Sequence, residues 1–309
     1  MPDFTNTLVV GISARALFDL EEEAELFKEK GIAEYRKVQL EKEDKELRPG
    51  TGYHLVKALL NLNKLSSTHR LVEVIIMSSN SPETGVRVLN SITSLKLDIT
   101  RSAFTGGEKI SGYMEAFSVD LFLSKNEEDV QEVIDSKTAA AALILEPPMD
   151  FNSEEETVRI AFDADAVLFS EKSEYIYKSQ NLEAFHQNES ENVDIPLEEG
   201  PHAKLLKTLS RIQQYMDKDV LENPLRLAIV TARSSPSHMR VIKTLRQWEV
   251  YVDEAFFLGG IAKDKVLKAF NAHIFFDDQD VHLDKSKKVI PSGKVPYPTD
   301  SIMRKLPKK

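Results

Sequence analysis

Val158-Arg-Ile-Ala-Phe-Asp-Ala-Asp-Ala-Val167 opens as a nearly continuous apolar run and turns abruptly to two aspartates. Such a run reads as a strand buried on both faces of a parallel sheet, ending where ligands bind in open α/β sheets. Working outward, the same character recurs in Leu8-Val-Val-Gly-Ile12, Val72-Glu-Val-Ile-Ile-Met77, Leu121-Phe-Leu123 and Ala141-Ala-Leu-Ile-Leu145. It recurs again in Leu225-Arg-Leu-Ala-Ile-Val230 and His273-Ile-Phe-Phe276. Between these runs, Leu55, Leu59 and Leu62 recur at helical spacing, as do Leu205, Leu209 and Ile212. Strands alternating with helices predict an α/β fold with crossover connections.

The chain also repeats itself. Shifted by 150 positions, residues 13–62 lie on 163–212 without a gap, and eleven of those fifty pairs are identical. Unrelated sequence would give roughly three, since each residue type is on the order of a few to ten per cent of a chain. After a three-residue slip, 78–128 lies on 231–281, where Gly106-Gly107 meets Gly259-Gly260 and Phe122 meets Phe275. The pattern predicts two tandem Rossmann-like units from an internal duplication, with parallel sheets flanked by helices and helical insertions. The boundary falls at Pro147-Pro148 through Glu154-Glu-Glu156, because proline stops regular structure and an acidic run prefers solvent. The expected units are residues 1–150 and 151–309.

The 309 residues carry 40 Lys+Arg against 50 Asp+Glu, a formal charge of −10, and no cysteine. Absence of Cys excludes disulfides, thiolate metal sites and a thiol nucleophile. The acidic balance argues against nucleic acid and anionic membranes as partners. Leu8–Ile12 is far too short for a signal or membrane segment, so a cytoplasmic protein is expected, with homo-oligomerisation left open.

Only the second unit carries an acidic constellation. Asp163 and Asp165 follow one predicted strand, Thr231 ends the next, and Asp277-Asp278 ends a third, while Lys263 follows the Gly259-Gly260 turn. Clustered carboxylates repel, and a hard divalent cation relieves them; Mg²⁺ favours carboxylates together with substrate phosphate. On this reading Asp163 attacks phosphorus to form an aspartyl-phosphate. Asp165 protonates the leaving oxygen and later activates water. Thr231 and Lys263 hold the phosphoryl oxygens, and Asp163, Asp165, Asp277 and Asp278 hold the metal. Ala232 and Arg233, beside Thr231, are candidates for contact with substrate. Plainer rivals stand beside each role. Asp163 and Asp165 could cap a helix, Lys263 could be a surface charge with Lys265 as the phosphate lysine, and Arg233 could be a loop residue. Trp248 reads as core, and the seven His residues show no metal spacing.

This motif set is that of the haloacid-dehalogenase-like phosphohydrolases, and the resemblance goes further. Phe-Asp-Ala-Asp-Ala-Val-Leu-Phe-Ser (162–170), Val-Thr-Ala-Arg-Ser (230–234), Thr-Leu-Arg-Gln-Trp (244–248) and His-Ile-Phe-Phe-Asp-Asp-Gln (273–279) resemble the cytosolic 5'-nucleotidase type I family. Glu34-Tyr35, Gln39-Leu40-Glu41, Pro49-Gly50, Val56-Lys57-Ala58-Leu59 and Gly85-Val86-Arg87 extend the likeness into the first unit. The resemblance implies Mg²⁺-dependent hydrolysis of nucleoside 5'-monophosphates, with AMP or deoxynucleoside monophosphates as substrates, and it makes Lys263 the family lysine. It also places a helical cap at about 171–216, where Tyr175, Tyr177 and Phe185 are candidates to meet a base. The alternatives are a phosphatase for another small phosphomonoester and a nucleotide-binding regulatory protein with little turnover.

In the first unit Ser13 stands for Asp163, Arg15 for Asp165, Ser78 for Thr231, and Ser124-Lys125 for Asp277-Asp278. That unit is expected to be non-catalytic. Arg15 and Lys125 predict a cationic crevice open to a regulatory nucleotide, unless they are simply salt-bridged. Residues 285–309 read as a solvated or partly packed terminus.

Overall fold

The computed structural model describes all residues except 1–3, 5, 67, 149–150, 152–156, 217–222 and 307–309. Ten strands form: β1 Leu8–Ile12, β2 Val72–Ser78, β3 Arg101–Phe104, β4 Leu121–Ser124, β5 Ala140–Ile144, β6 Val158–Phe162, β7 Leu225–Thr231, β8 Glu254–Phe257, β9 Ile274–Asp277 and β10 Ser292–Lys294. The seven strands predicted from apolar runs are present, each within a residue of its expected bounds. The helices are α1 Ala14–Leu17, α2 Glu21–Glu41, α3 Tyr53–Asn61, α4 Val86–Ser94, α5 Glu127–Ser136, α6 Lys172–Ser179, α7 Leu182–Glu191, α8 Ala203–Tyr215, α9 His238–Gln247, α10 Asp264–Phe270 and α11 Asp280–Ser286.

The strands make one sheet in the order β3-β2-β1-β4-β5-β10-β9-β6-β7-β8. The two units thus share a single, mostly parallel sheet flanked by helices, a point the sequence leaves open. The join is β10, which runs antiparallel to β5 and parallel to β9. Read inward from either edge, the two halves have one strand order, β3-β2-β1-β4-β5 and β8-β7-β6-β9-β10. The proposed boundary at 147–156 lies largely outside the described residues.

Three strands escape an apolar pattern for physical reasons. β3 and β8 are four-residue edge strands that share one half-exposed burial pattern, so each keeps polar residues. β10 is Ser-Gly-Lys and has no apolar residue to signal it. Its Gly293 is required by close packing: a Cβ there would stand 3.1 Å from both the Ala142 Cβ and the Phe276 ring. Of the two readings of the C-terminal segment, the partly packed one holds. Ile290 and Val295 are each 1% exposed, and Met303 is buried.

The gapless 150-residue shift fails between Ser13 and Gly50, where one residue is gained after Asp163 and one is lost again before Gly200. Gly50 N donates to Leu17 O, and Gly200 N donates to Leu168 O. Ser13 and Asp163 occupy matching positions too, since their amides bond Leu123 O and Phe276 O at the ends of β4 and β9. The loop after β6 is therefore one residue longer than the loop after β1. In the first half Ser13 caps the short helix α1 by accepting from Ala16 N. In the second half the extra residue sits in a turn where Ala166 takes φ 61°, a left-handed conformation uncommon outside glycine. Among the described residues no helix is long and apolar enough to cross a membrane.

Replacing Gly293 with Val is expected to lower stability by about 1–3 kcal/mol through overpacking at the seam. Gly112→Ala, where a Cβ meets nothing within 4 Å, should be close to neutral. Urea denaturation of both variants checks this.

Candidate active site

Asp163, Thr231 and Asp277 come together because β6, β7 and β9 are sheet neighbours whose carboxyl ends share one edge. Asp163 directly follows β6, Thr231 ends β7 and Asp277 ends β9, with Asp278 next. Lys263 enters from the start of α10, after Gly259 and Gly260 make the turn with φ of 58° and 87°. Only glycine adopts successive left-handed positions without strain.

The lysine is the centre of the site. Its Nζ lies 2.8 Å from Asp163 Oδ1 and 2.7 Å from Asp277 Oδ2, and the residue is 2% exposed. Lys265 is exposed, and of the two lysines it is Lys263 that faces the carboxylates. Asp163 does not cap a helix; its carboxylate turns to Lys263. Burial works against the ammonium, but Asp163 and Asp277 outweigh it and hold the Lys263 pKa above its usual range. Burial likewise pushes Asp163 up to about 6, with Lys263 opposing and Asp277 adding to the rise. Asp277 and Asp278 are also raised, in both cases first by burial.

Oxygens of Asp163, Asp277 and Asp278 lie within 4.8 Å of one another. Three carboxylates against one ammonium leave an excess of negative charge in a buried place. Asp278 Oδ1 is buried without a hydrogen-bond partner. An orphaned buried carboxylate oxygen is costly unless a cation or water meets it. The donor set is all oxygen, which suits a hard divalent ion such as Mg²⁺. Asp165 is not in this group, although the sequence reading counted it among the metal carboxylates. Its side chain is held elsewhere.

That holder is Arg233. The guanidinium grips Asp165 in a fork, Nε to Oδ2 at 2.8 Å and Nη2 to Oδ1 at 2.6 Å. Its remaining nitrogen pairs with the fully buried Glu189 of α7, which also takes Arg240 at 3.0 Å. Arg233 is 4% exposed and fully engaged, so it positions Asp165 and is not a free phosphate or base contact. Ala232 is exposed beside it. Thr231 is 1% exposed and accepts from Arg233 N at 3.2 Å, which orients the loop.

Four contributors were not legible from spacing. Tyr297, in the C-terminal segment, donates a hydrogen bond to Asp278 Oδ2, and its hydroxyl lies 3.3 Å from Glu174 Oε2. Glu174 on α6 is 5% exposed, and burial pushes it up to about 7 while Lys178 opposes. Glu189 and Arg240 complete the clamp on Arg233. On an amphipathic helix a buried carboxylate looks like any other charge, and nothing in the tail marked Tyr297.

Helices α6 and α7 cover the site. The rest of the segment expected as a cap, α8, lies on the sheet with Leu205, Leu206, Leu209 and Ile212 buried. Phe185 is buried under the Arg233 guanidinium at 5.2 Å, whereas Tyr177 is 50% exposed. Trp248 packs on Phe169 at 5.3 Å, in the core.

A family model described as 5'-nucleotidase matches residues 1–301. The chain belongs to the 5'-nucleotidase family. Human cytosolic 5'-nucleotidase 1B is 34% identical over 296 residues, which cover 93% of this chain and 48% of that protein. The cytosolic type I resemblance seen in the motifs therefore stands, and the chain spans about half the length of this curated relative. No solved structure matches. For a member of this family, the position of Asp163, Thr231, Lys263 and Asp277 in one buried cluster is the feature to test.

Two outcomes follow. Arg233→Ala leaves Glu189 and Asp165 short of a buried partner and should cost about 3–5 kcal/mol of stability. Glu174 binds its proton more tightly folded (about 7) than unfolded (4.5), so its contribution is present below pH 4.5 and is lost as pH rises through 7. Without metal, Glu174→Gln should match the parent near pH 4 and exceed it by about 1–3 kcal/mol near pH 8, by urea denaturation.

Proposed function

We propose that this chain is a cytoplasmic, Mg²⁺-dependent 5'-nucleotidase that hydrolyses nucleoside 5'-monophosphates to nucleoside and phosphate. AMP and deoxynucleoside monophosphates are the proposed substrates. The observation that carries the reading is the convergence of Asp163, Asp277 and Asp278 to within 4.8 Å around Lys263, in a chain the family matches along residues 1–301. The relative's name supports the reaction and the compartment. The shared strand order of the two halves supports the further proposal of a duplicated, haloacid-dehalogenase-like unit whose second copy is catalytic.

Asp163, Asp277 and Asp278 would hold the Mg²⁺, which when bound offsets negative charge at the phosphate. Asp163 attacks phosphorus while the bond to the 5'-oxygen breaks, giving an aspartyl-phosphate. Asp165 supplies the proton that the departing oxygen takes up. It then accepts a proton from water as that water attacks the aspartyl-phosphate, which releases phosphate and regenerates Asp163. Lys263 and the Thr231 hydroxyl donate to the phosphoryl oxygens as charge develops. Arg233 orients the ionised Asp165, and one oxygen leaves that fork when Asp165 carries the proton. Asp163 and Lys263 are only 4% and 2% exposed, so α6 and α7 must swing aside to admit a nucleotide and then close over it.

Phosphate release from a panel of ribo- and deoxynucleoside monophosphates, with and without Mg²⁺, tests the reading. It predicts Mg²⁺-dependent release by the parent and a loss of at least a thousandfold in Asp163→Asn, with the variant still folded. Equal release from sugar phosphates and nucleotides would favour a general phosphomonoesterase. No release from any nucleotide by the folded parent would overturn the proposal.

A further inference from the structure

The first half has a crevice of its own, a cavity of about 680 Å³ at the carboxyl ends of β1, β2 and β4. It occupies the place that the catalytic cluster takes in the second half. Its chemistry is different. Ser13, Ser78 and Ser124 form the floor, where the second half has Asp163, Thr231 and Asp277. These serines are 8%, 6% and 1% exposed. Each hydroxyl accepts from a backbone N–H, of Ala16, Asn80 and Asn126 respectively. None donates to any described residue, so three buried O–H donors point to an acceptor that the chain does not provide.

The cations expected to make this crevice attract an anion are already neutralised. Arg15 Nε donates to Glu21 at 3.1 Å, and Lys125 pairs with Glu21 at 2.6 Å and with Glu146. Lys109 pairs with Glu132 at 2.5 Å, and Arg36 pairs with Glu83. Lys28 is at the exposed rim. Where the catalytic half has the buried Lys263, this half has Ile110, 1% exposed. Glu128 and Asp129 of α5 line the same cavity and would repel a phosphate dianion.

The roof is aromatic. Phe27 and Tyr35 of α2 meet edge to face with centroids 5.8 Å apart, and Phe27 is 49% exposed toward the cavity mouth. Tyr177 and Phe185 make the matching pair in the second half, at 6.3 Å. The Tyr35 hydroxyl accepts from Asn80 and Gln39, both at 3.1 Å, and its own hydrogen has no acceptor among the described residues. The first crevice thus keeps an aromatic roof and hydroxyl donors while lacking the groups suited to a metal and a phosphate.

We propose that this crevice binds an uncharged nucleoside, with the base against Phe27 and Tyr35 and the sugar and ring acceptors on the serine hydroxyls. The choice of nucleoside rests on the nucleotidase reading, since a nucleoside is that reaction's product. A cavity of this size, apolar on one wall with a few convergent donors, is of the ordinary kind for such a ligand. Stacking of a base on an aromatic side chain is a strong contact, so losing Phe27 should weaken binding about tenfold or more.

Calorimetry with adenosine as the probe tests this on the full chain, which does not consume it. The expected result is binding that Phe27→Ala weakens at least tenfold, that Tyr177→Ala leaves in place, and that millimolar inorganic phosphate does not displace. Phe27 is half exposed, so its variant should fold, and its phosphate release from AMP should match the parent's in the absence of adenosine. Binding unchanged by Phe27→Ala, or no binding at all, overturns the proposal. Displacement of the Phe27-dependent adenosine by phosphate overturns it in favour of an anion site. If the chain is inert toward every nucleotide yet loses adenosine on Phe27→Ala, only the nucleotidase reading fails. Turnover with adenosine binding indifferent to Phe27 sinks this proposal alone.

Discussion

One ammonium group, that of Lys263, lies between two buried carboxylates that would otherwise face each other across the crevice. Burial alone drives Asp163, Asp277 and Asp278 toward their protonated forms. A single lysine opposes that tendency but cannot balance three acids. The remaining imbalance is what would draw a cation, because a bound divalent ion would restore the ionised carboxylates. The surrounding architecture serves this arrangement. Sheet register places β6 beside β9, the double-glycine turn delivers the lysine, and Tyr297 ties Asp278 to the C-terminal segment. That dependence explains why Ser292, Gly293, Val295, Ser301 and Met303 are buried. They form the wall behind the cluster as well as the seam of the sheet.

A second layer of charged groups holds Asp165. Asp165 is held by a bidentate guanidinium, and that guanidinium is held by Glu189 on α7. The covering helices are thus connected electrostatically to the loop that carries Asp163. Glu174 on α6 makes the same kind of link through Tyr297. Opening α6 and α7 to admit a substrate would disturb both contacts, and closing would restore them. Positioning by a covering element that completes the site on closure is a common way to exclude water from a phosphoryl transfer.

Much of this was legible in the sequence. Seven strands followed from apolar runs, and the aspartates, threonine and lysine were identified by the strand ends and turn they occupy. The repeat made the second half's acidic set conspicuous against the serines of the first. What was hidden has physical causes. Edge strands β3 and β8 are half exposed, so they lack a continuous apolar run. β10 is defined by the slot it fills and not by its side chains. The extra residue after Asp163 is invisible to a gapless shift, because Ala16 and Ala166 match by type although one is helical and the other lies in a left-handed turn. The ion pairs of Arg15, Lys125 and Arg233 depend on partners distant in the chain or on a helix turn, and charge counting cannot assign them.

The central claim is that Asp163, Asp277 and Asp278 form a cation site around Lys263. Calorimetric titration of the purified, chelator-treated chain with Mg²⁺ tests it most directly, run beside Asp278→Asn. Asp278 is the ligand whose Oδ1 has no protein partner, so its loss should be felt in the metal and little in the fold. The account predicts one ion per chain, bound at least tenfold more weakly by the variant. A parent that binds no ion, or a variant that binds it equally well, would contradict it.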